Sequence, residues 1–222
     1  MHGVNYDDKQ IGDILIHQLK SYWMNIDEKL IREVLPDAMN QIKKGFYGSP
    51  SLRFYNGENI IFSPYISIHW MIFLYRLSHQ IFSWGGVTAD QIYYLNKIMH
   101  GIDWFYEVDL PIHFFAEHPL GSVLGRAKYG DYLLVYQGTT VGGSYKENKV
   151  YYPTIGNNVI LFSNASILGK SQIGSNVIIS AGTQIVNEDV PDNCIVFGQT
   201  PNLIIKERNK NMMEKTIDTY WR

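Results

Sequence analysis

The sequence predicts an α+β chain in which an α-helical N-terminal half is followed by a β-helix of six-residue repeats. Apolar residues recur at helical spacing in several stretches between residues 9 and 100. These helical signals fade after Gly101. From Ile155 onward, an aliphatic residue instead recurs at every sixth position, a spacing that indicates one flat side of a β-helix per repeat.

The first helical stretch covers residues 9–44, where two apolar series recur at helical spacing. Pro36 predicts a break or kink within it, because proline lacks the N–H that a helix interior requires. Residues 45–62 are rich in Gly, Pro, Asn and Ser, which predicts a loop with a possible short strand. The uncharged segment Ile60–Tyr75 is short for a membrane span of about 20 residues, so we expect a buried helix there.

A Ser-Pro pair predicts the start of the next helix, over residues 63–82. Gly85–Gly86 would end it. Thr88 and Gln91 have the spacing of a capping box. They predict a further helix that runs to about His100.

The repeats form six consecutive blocks over residues 155–190. The first position of every block is aliphatic: Ile155, Leu161, Ile167, Ile173, Ile179 and Ile185. The fifth position is small or β-branched in five blocks, at Val159, Ala165, Ser171, Val177 and Thr183, and the pattern fails at Asp189. We expect the first residues to point inward and stack on their equivalents one coil along, with the fifth residues at crowded corners.

Three blocks make one coil, so residues 155–172 and 173–190 predict two complete coils. A looser frame precedes them, with Val123, Tyr129, Val135 and Val141 six residues apart. Residues 142–154 break the pattern and predict an exposed loop that leaves the β-helix. Such loops often carry functional residues.

Composition limits the possible functions. The 222 residues include 19 Lys and Arg against 21 Asp and Glu, and the lack of a basic cluster argues against nucleic-acid binding. The only cysteine is Cys194, which excludes an internal disulfide and favours a reducing compartment, the cytoplasm. No metal-ligand motif stands out, so no metal is expected. With only His113 and His118 in the β-helical half, a carbonic anhydrase of the γ type, which needs three histidines, is disfavoured.

Several segments resemble the serine acetyltransferases, which are hexapeptide-repeat acyltransferases. These segments are FLYRL (73–77), HPLGSVLGRA (118–127), VGG (141–143) and VPDNCIVFGQTPNLII (190–205), and the likeness covers roughly residues 45–205. The resemblance implies a left-handed parallel β-helix with acetyl-CoA as co-substrate. It also implies homotrimers or dimers of trimers, with active sites between neighbouring β-helices.

The resemblance suggests three parts for the chain. Residues 1–105 would form an α-helical domain that serves oligomerisation and contributes to the acceptor site. Residues 106–205 would form the β-helix with its loop 142–154. Residues 206–222 would form a C-terminal tail.

His118 aligns with the family's catalytic histidine. Histidine is suited to take a proton from an attacking hydroxyl near neutral pH, and it would return the proton to the CoA sulfur. An acidic partner usually orients such a histidine. Asp109 resembles the family's first-coil aspartate, although it lies one hexapeptide too close, and Glu107 is the second candidate. Glu117 stands where the family has an aspartate directly before the histidine.

The resemblance also suggests residues that bind the donor. Gly142 and Gly143 could offer N–H groups to the developing oxyanion, or could simply permit the turn. Ser144, Ser163 and Ala181 would line the pantetheine groove. The closing turn, with Gly198, Thr200 and Pro201, would lie near the adenine.

The acceptor-binding residues depart from the family pattern. Tyr151 and Tyr152 replace an arginine and a histidine that hold the serine carboxylate in the family, and Ser49–Pro50 lacks the acid of the family's Asp-Pro pair. A cation on a carboxylate contributes about 1.5–3 kcal/mol, which tyrosine cannot replace. The end of the sequence, Tyr220, Trp221 and Arg222, lacks the family's terminal isoleucine, so docking to cysteine synthase is not expected.

We therefore expect an acetyl-CoA-dependent O-acetyltransferase that uses His118 as general base. The lost charges favour a sugar or polysaccharide precursor as the acceptor, bound near Tyr151, Tyr152 and Ser49. Two alternatives remain open. The first is genuine serine O-acetylation, in which other residues supply the missing charge. The second is a non-catalytic β-helix scaffold.

Overall fold

The computed structural model describes residues 6–49, 51–146 and 148–220. The chain divides into two compact units. One unit runs to Gly101 and includes Phe105–Glu107, and the other comprises Ile102–Trp104 and the chain from Val108 onward. Among the described residues, no helix combines the length and the apolar character needed to cross a membrane.

The helical unit contains four helices: α1 (Asp8–Lys20), α2 (Glu28–Phe46), α3 (Ser67–Phe82) and α4 (Thr88–His100). Helix α3 packs against both α2 and α4, and α1 packs against α2. Twelve of the 16 residues of α3 are buried, which confirms the prediction of a buried helix. The chain has the predicted ends of α3 and α4, with Gly101 in the left-handed conformation after α4.

The break in the first helical stretch does not lie at Pro36. Pro36 is inside α2, and the chain instead leaves the helix between Ser21 and Asp27. Asp27 caps α2 by accepting a hydrogen bond from the Leu30 N–H at 2.9 Å. The start of α2 is therefore set by the capping aspartate and not by the proline.

Two predicted helix starts also shift. Helix α3 begins at Ser67, because the Ser63 N–H donates to Nδ1 of His69 at 3.2 Å and the Ser63 hydroxyl accepts from the Tyr65 N–H at 3.2 Å, in a turn before the helix. Thr88 is the first residue of α4 rather than its cap. The predicted capping box is absent because the Gln91 amide donates to the Asn25 carbonyl at 2.9 Å.

The second unit is a parallel β-helix. Its strands are β1 (Asp103–Trp104), β2 (Phe114–Glu117), β3 (Val123–Leu124), β4 (Lys128–Tyr129), β5 (Leu133–Tyr136), β6 (Thr140–Gly142), β7 (Ser144–Lys146), β8 (Lys149–Tyr151), β9 (Thr154–Ile155), β10 (Val159–Leu161), β11 (Ser166–Leu168), β12 (Gln172–Ile173), β13 (Val177–Ile179), β14 (Gln184–Val186), β15 (Cys194–Gln199) and β16 (Asn202–Glu207). One helix, α5 (Lys210–Tyr220), follows them.

The hexapeptide prediction is confirmed residue by residue. Ile155 pairs with Ile173, Leu161 with Ile179, and Ile167 with Ile185. All six first-position residues are at most 3% exposed, and all five fifth-position residues are fully buried. The pattern ends at Asp189 because the last coil is one residue shorter, so that Val190 pairs with Ile173.

The looser frame before residue 142 is wrong at one position. Val123 is 37% exposed, and its neighbour Leu124 is buried instead. Glu117 pairs with Tyr136, 19 residues along, whereas Val123 pairs with Thr140, 17 residues along. Because the turn that begins at His118 is longer, Leu124 rather than Val123 points inward on this side.

The predicted loop leaves the coil between Gly142 and Thr154, which themselves stay paired within the β-helix, and it forms an antiparallel hairpin of β7 and β8. A second antiparallel hairpin, β15–β16, closes the last coil, and its turn contains the cis peptide bond Thr200–Pro201. Sequence patterning did not predict helix α5 within residues 206–222. Its Met213 and Ile217 are buried, and the Tyr220 ring lies edge-on to Phe162 at 5.1 Å.

Candidate functional site

The predicted histidine lies at a corner of the β-helix. His118 directly follows strand β2 and has a left-handed backbone conformation, with φ of 49°. Its carbonyl accepts a hydrogen bond from the Leu120 N–H at 2.8 Å, which closes the turn. The residue is exposed. The corner therefore presents an imidazole at the surface of the β-helix.

Strand register places several predicted site residues in one line with His118. Ala116, Val135, Leu161, Ile179 and Val196 pair with one another in five successive coils. Two positions further along, Gln137, Ser163 and Ala181 keep this register in the middle coils, where the Asn164 N–H donates to Gln137 and the Gly182 N–H to Ser163. His118 and Gly198 come two positions after Ala116 and Val196 in the first and last coils, where the turns differ in length. We call this set the His118 column. Four of its five members were predicted from the sequence. The last three members, Ser163, Ala181 and Gly198, have small side chains or none.

The predicted acidic partners do not engage the imidazole within one chain. Among the described residues, none forms a hydrogen bond or an ion pair with the His118 side chain. Asp109 is exposed between β1 and β2, and Glu117 is partly buried at the end of β2. Glu107 belongs to the helical unit.

The predicted oxyanion donors lie at a different corner. Gly142 ends β6 and pairs with Leu168, whereas the start of β6 lies next to Gln137. Gln137 and Gly142 are five positions apart in sequence, with a corner and strand β6 between them. One chain therefore places His118 and Gly142–Gly143 at opposite ends of one face and does not bring them together.

The hairpin residues surround Gly143. A Cβ atom at Gly143 would lie 2.8 Å from the Tyr152 ring, so a larger residue there would displace the ring. Ser144 donates from its hydroxyl to Oδ1 of Asn187 at 3.2 Å. Tyr151 is partly buried, and the Lys149 ammonium lies 5.8 Å from its ring centroid. The hairpin therefore carries a cation beside the first of the two tyrosines.

Ser49 belongs to the helical unit, and its hydroxyl accepts a hydrogen bond from the Ser51 N–H at 3.3 Å. Its neighbour Pro50 lies outside the described residues, as do Trp221 and Arg222. Cys194 is buried and its thiol donates to the Pro191 carbonyl. Burial raises the pKa of this thiol to about 11, which argues against a nucleophilic role.

Sequence reasoning missed two features near the site. Gln137 belongs to the His118 column, but the loop insertion hides its six-residue relation to Ser163. An aromatic ledge stands beside the column, where the Tyr136 and Phe162 rings lie 4.9 Å apart and Tyr220 contacts Phe162. Tyr136 ends β5, and Phe162 directly follows β10, so their positions one coil apart could have been found from the repeat frame, whereas Tyr220 required knowledge of α5.

The other histidine of the β-helical half, His113, pairs with a carboxylate. Its Nδ1 lies 2.7 Å from Oδ2 of Asp131, and its backbone N–H donates to the other oxygen at 2.9 Å. The same backbone-to-side-chain bond repeats down this corner, from Asp131 to Asn157 and from Asn157 to Ser175. The pair therefore continues a structural ladder that joins the coils.

In the described parts of the chain, no group of three His, Cys, Asp or Glu residues could hold a metal ion. The site thus consists of an exposed imidazole, a column of small residues and an aromatic ledge. An exposed base beside a column of small residues suits proton exchange with two substrates that bind at the surface.

Comparisons with known proteins agree with this description. The family described as bacterial transferase hexapeptide (six repeats) matches residues 152–187. A serine acetyltransferase of Synechococcus elongatus is 41% identical over 126 residues, which make up 56% of this chain and 51% of that protein. The match therefore spans about half of that relative's length.

Two further comparisons extend over most of the chain. A serine acetyltransferase of Staphylococcus epidermidis is 31% identical over 187 residues, 83% of this chain and 84% of that protein. The crystal structure of Neisseria gonorrhoeae serine acetyltransferase in complex with serine is 27% identical, covers 87% of this chain and 83% of that one, and has a TM-score of 0.66. With the β-helix, its repeats and this long alignment together, the chain belongs to the serine acetyltransferase family of hexapeptide-repeat acyltransferases.

Proposed function

We propose that this chain transfers the acetyl group of acetyl-CoA to the hydroxyl of L-serine. The observation that carries this proposal is the similarity to serine acetyltransferases over more than four fifths of the chain, including one solved with serine bound. The sugar acceptor that Tyr151 and Tyr152 suggested receives no support from these relatives. The alternative reading, serine O-acetylation, is therefore the better one.

His118 acts as the general base in this proposal. Its imidazole takes the proton of the serine hydroxyl while that oxygen attacks the thioester carbonyl. The carbon–oxygen bond forms, the carbon–sulfur bond breaks, and the imidazolium gives its proton to the departing CoA sulfur. The exposed position of His118 at a corner suits this exchange, because both substrates must reach the same imidazole. No covalent enzyme intermediate is needed.

The donor would lie along the His118 column. Ser163, Ala181 and Gly198 follow one another in successive coils, and their small side chains leave room for an extended pantetheine chain. Binding of acetyl-CoA along these coils would place its thioester beside His118. The buried free thiol of Cys194 fits a reducing compartment such as the cytoplasm, where this reaction would take place.

The proposal requires a second copy of the chain. Within one chain, His118 precedes strand β3, and Gly142 ends the neighbouring strand β6, so the two lie at opposite ends of one face. In a homotrimer, the Gly142 corner of one β-helix can approach the His118 column of the next. We therefore propose trimers, alone or in pairs, with the site between adjacent chains.

The serine carboxylate needs a cation, and the Lys149 ammonium beside Tyr151 is available on the hairpin. It could replace the charge that Tyr151 and Tyr152 do not carry. The sequence argued against serine because Tyr151 and Tyr152 carry no cation, and Lys149 offers one next to them.

The test is release of free CoA, measured with a thiol reagent, from acetyl-CoA with L-serine or with a panel of nucleotide sugars. We expect turnover with L-serine, and a loss of at least 100-fold in the His118→Ala variant. His17→Ala, which alters an exposed histidine on α1, is the matched control and should retain full activity. Turnover with a sugar alone would reject the serine proposal, and no CoA release with any acceptor would favour the scaffold.

A further inference from the structure

Gln137 occupies the coil next to His118 in the His118 column. Glu117 pairs with Tyr136 at the ends of strands β2 and β5, and His118 and Gln137 are the residues that directly follow these two strands. Neighbouring strands lie about 4.8 Å apart. The amide side chain is therefore one coil away from the proposed base, between His118 and Ser163.

The oxygen of this amide lacks a hydrogen-bond partner. Oε1 of Gln137 is buried and accepts no hydrogen bond from the described residues. Burying such an acceptor without a donor costs about 1–3 kcal/mol, and a hydrocarbon side chain of similar size would avoid that cost. Unsatisfied buried polar groups are rare in folded proteins, so a donor supplied by a ligand is a reasonable explanation.

None of the residues that the structure describes holds the Gln137 amide through a hydrogen bond. The terminal torsion of glutamine is broad and soft, so the amide can turn towards a bound molecule at little cost. The backbone beneath it is fixed, because the Gln137 carbonyl accepts a hydrogen bond from the Asn164 N–H at 2.8 Å. Gln137 thus combines a fixed position with an adjustable acceptor.

The chemistry of the donor substrate supplies a matching N–H. In acetyl-CoA, the amide nitrogen nearest to the thioester is three covalent bonds from the sulfur. That length is similar to the spacing between one coil and the next. A sulfur beside His118 and a chain that runs towards Ser163 would bring this N–H to the level of Gln137.

We propose that Gln137 positions the acyl donor by accepting a hydrogen bond from the pantetheine amide nearest to the thioester. This inference rests on the proposed function for the direction in which the donor lies. In this role Gln137 is a positioning residue, and it favours thioesters whose thiol part contains an amide N–H. His118 remains the group that exchanges protons with the substrates.

The experiment compares two small acetyl thioesters, N,S-diacetylcysteamine, which retains this amide N–H, and S-acetyl-2-mercaptoethanol, which lacks it. We expect wild-type protein to favour the first by about tenfold in kcat/KM with L-serine, the value of one hydrogen bond. Gln137→Leu should abolish that preference. Gln137→Glu, which keeps an acceptor oxygen, should restore part of it. Gln172→Leu, at an exposed glutamine of β12, is the matched control and should behave as wild type.

A binding measurement separates this inference from the proposed function. Isothermal titration of CoA needs no acceptor, and Gln137→Leu should weaken CoA binding about tenfold while the variant keeps the elution volume and fluorescence of the wild type. Equal CoA affinity in both proteins, or an unchanged preference between the two thioesters, would overturn the role of Gln137. A higher KM for L-serine with unchanged CoA affinity would also overturn it, because Gln137 would then contact the acceptor. Absence of turnover with L-serine would affect the proposed function alone.

Discussion

His69 makes the stability of the helical unit depend on pH. Its imidazole is fully buried on α3, with the rings of Phe46 and Phe54 each 5.2 Å away. Its Nδ1 accepts a hydrogen bond from the Ser63 N–H, so this nitrogen must be unprotonated in the folded chain. Burial lowers the pKa of His69 from 6.5 to about 4.

The size of the effect follows from proton linkage. Between pH 6.5 and 4, the unfolded chain binds a proton at this imidazole and the folded chain does not, so stability falls as the pH falls through this window. From pH 7 to pH 5, the two pKa values give a loss of about 2 kcal/mol from His69 alone. Burial also lowers the pKa of His100 to about 4, which adds a loss of the same sign.

The assay is urea unfolding at pH 7 and pH 5, at fixed ionic strength and protein concentration, followed by tryptophan fluorescence. Trp70, fully buried on the same helix, reports on this unit. His69→Leu should be less stable than wild type at pH 7, because the Ser63 N–H loses its acceptor. Its further loss between pH 7 and pH 5 should be smaller by about 2 kcal/mol. An equal loss in both proteins would refute the reasoning, and His17→Leu, at an exposed histidine, should follow wild type.

Two further predictions concern packing in the β-helix. Gly156→Ala should lower the melting temperature strongly, because the new Cβ would lie 2.7 Å from the backbone of Gly174 in the next coil. Gly12→Ala on α1 is its control and should be neutral or stabilising, since the nearest atom is the flexible end of Arg32 at 3.1 Å. Ile217→Asp should loosen α5 by placing a charge at a fully buried position, which hydrogen exchange of residues 210–220 would detect; exchange as slow as in wild type would contradict it.

Sequence patterning predicted the β-helix well because its rule is local and repeated. Each inward residue stacks on its equivalent one coil along, so an aliphatic such as Ile167 is constrained by Ile185 in the same way as Ile155 by Ile173. The prediction failed at Val123, where a turn of different length changes the register. Turn length is decided by corner geometry, which a fixed six-residue frame does not include.

Helix boundaries were less predictable because single side chains decide between competing partners. Gln91 has the spacing of a capping residue, but its amide bonds to the Asn25 carbonyl, 66 residues away in sequence. Such a contact depends on the packing of α4 against the chain before α2. Pro36 predicted a break that does not occur. The apolar face of α2 is buried on both sides of Pro36, and this burial outweighs the cost of a proline inside the helix.

Residue identity at two positions does not define where charge lies in the acceptor site. Tyr151 and Tyr152 predict loss of carboxylate binding at those two positions alone. A charge acts through space, and the Lys149 ammonium, two residues earlier on the same strand, lies 5.8 Å from the centroid of the Tyr151 ring. The donor side is constrained differently, because an extended chain can approach the coils most closely where side chains are small. Ser163, Ala181 and Gly198 therefore stay predictions for the donor site, whereas a carboxylate-binding cation could come from any residue that reaches the same space.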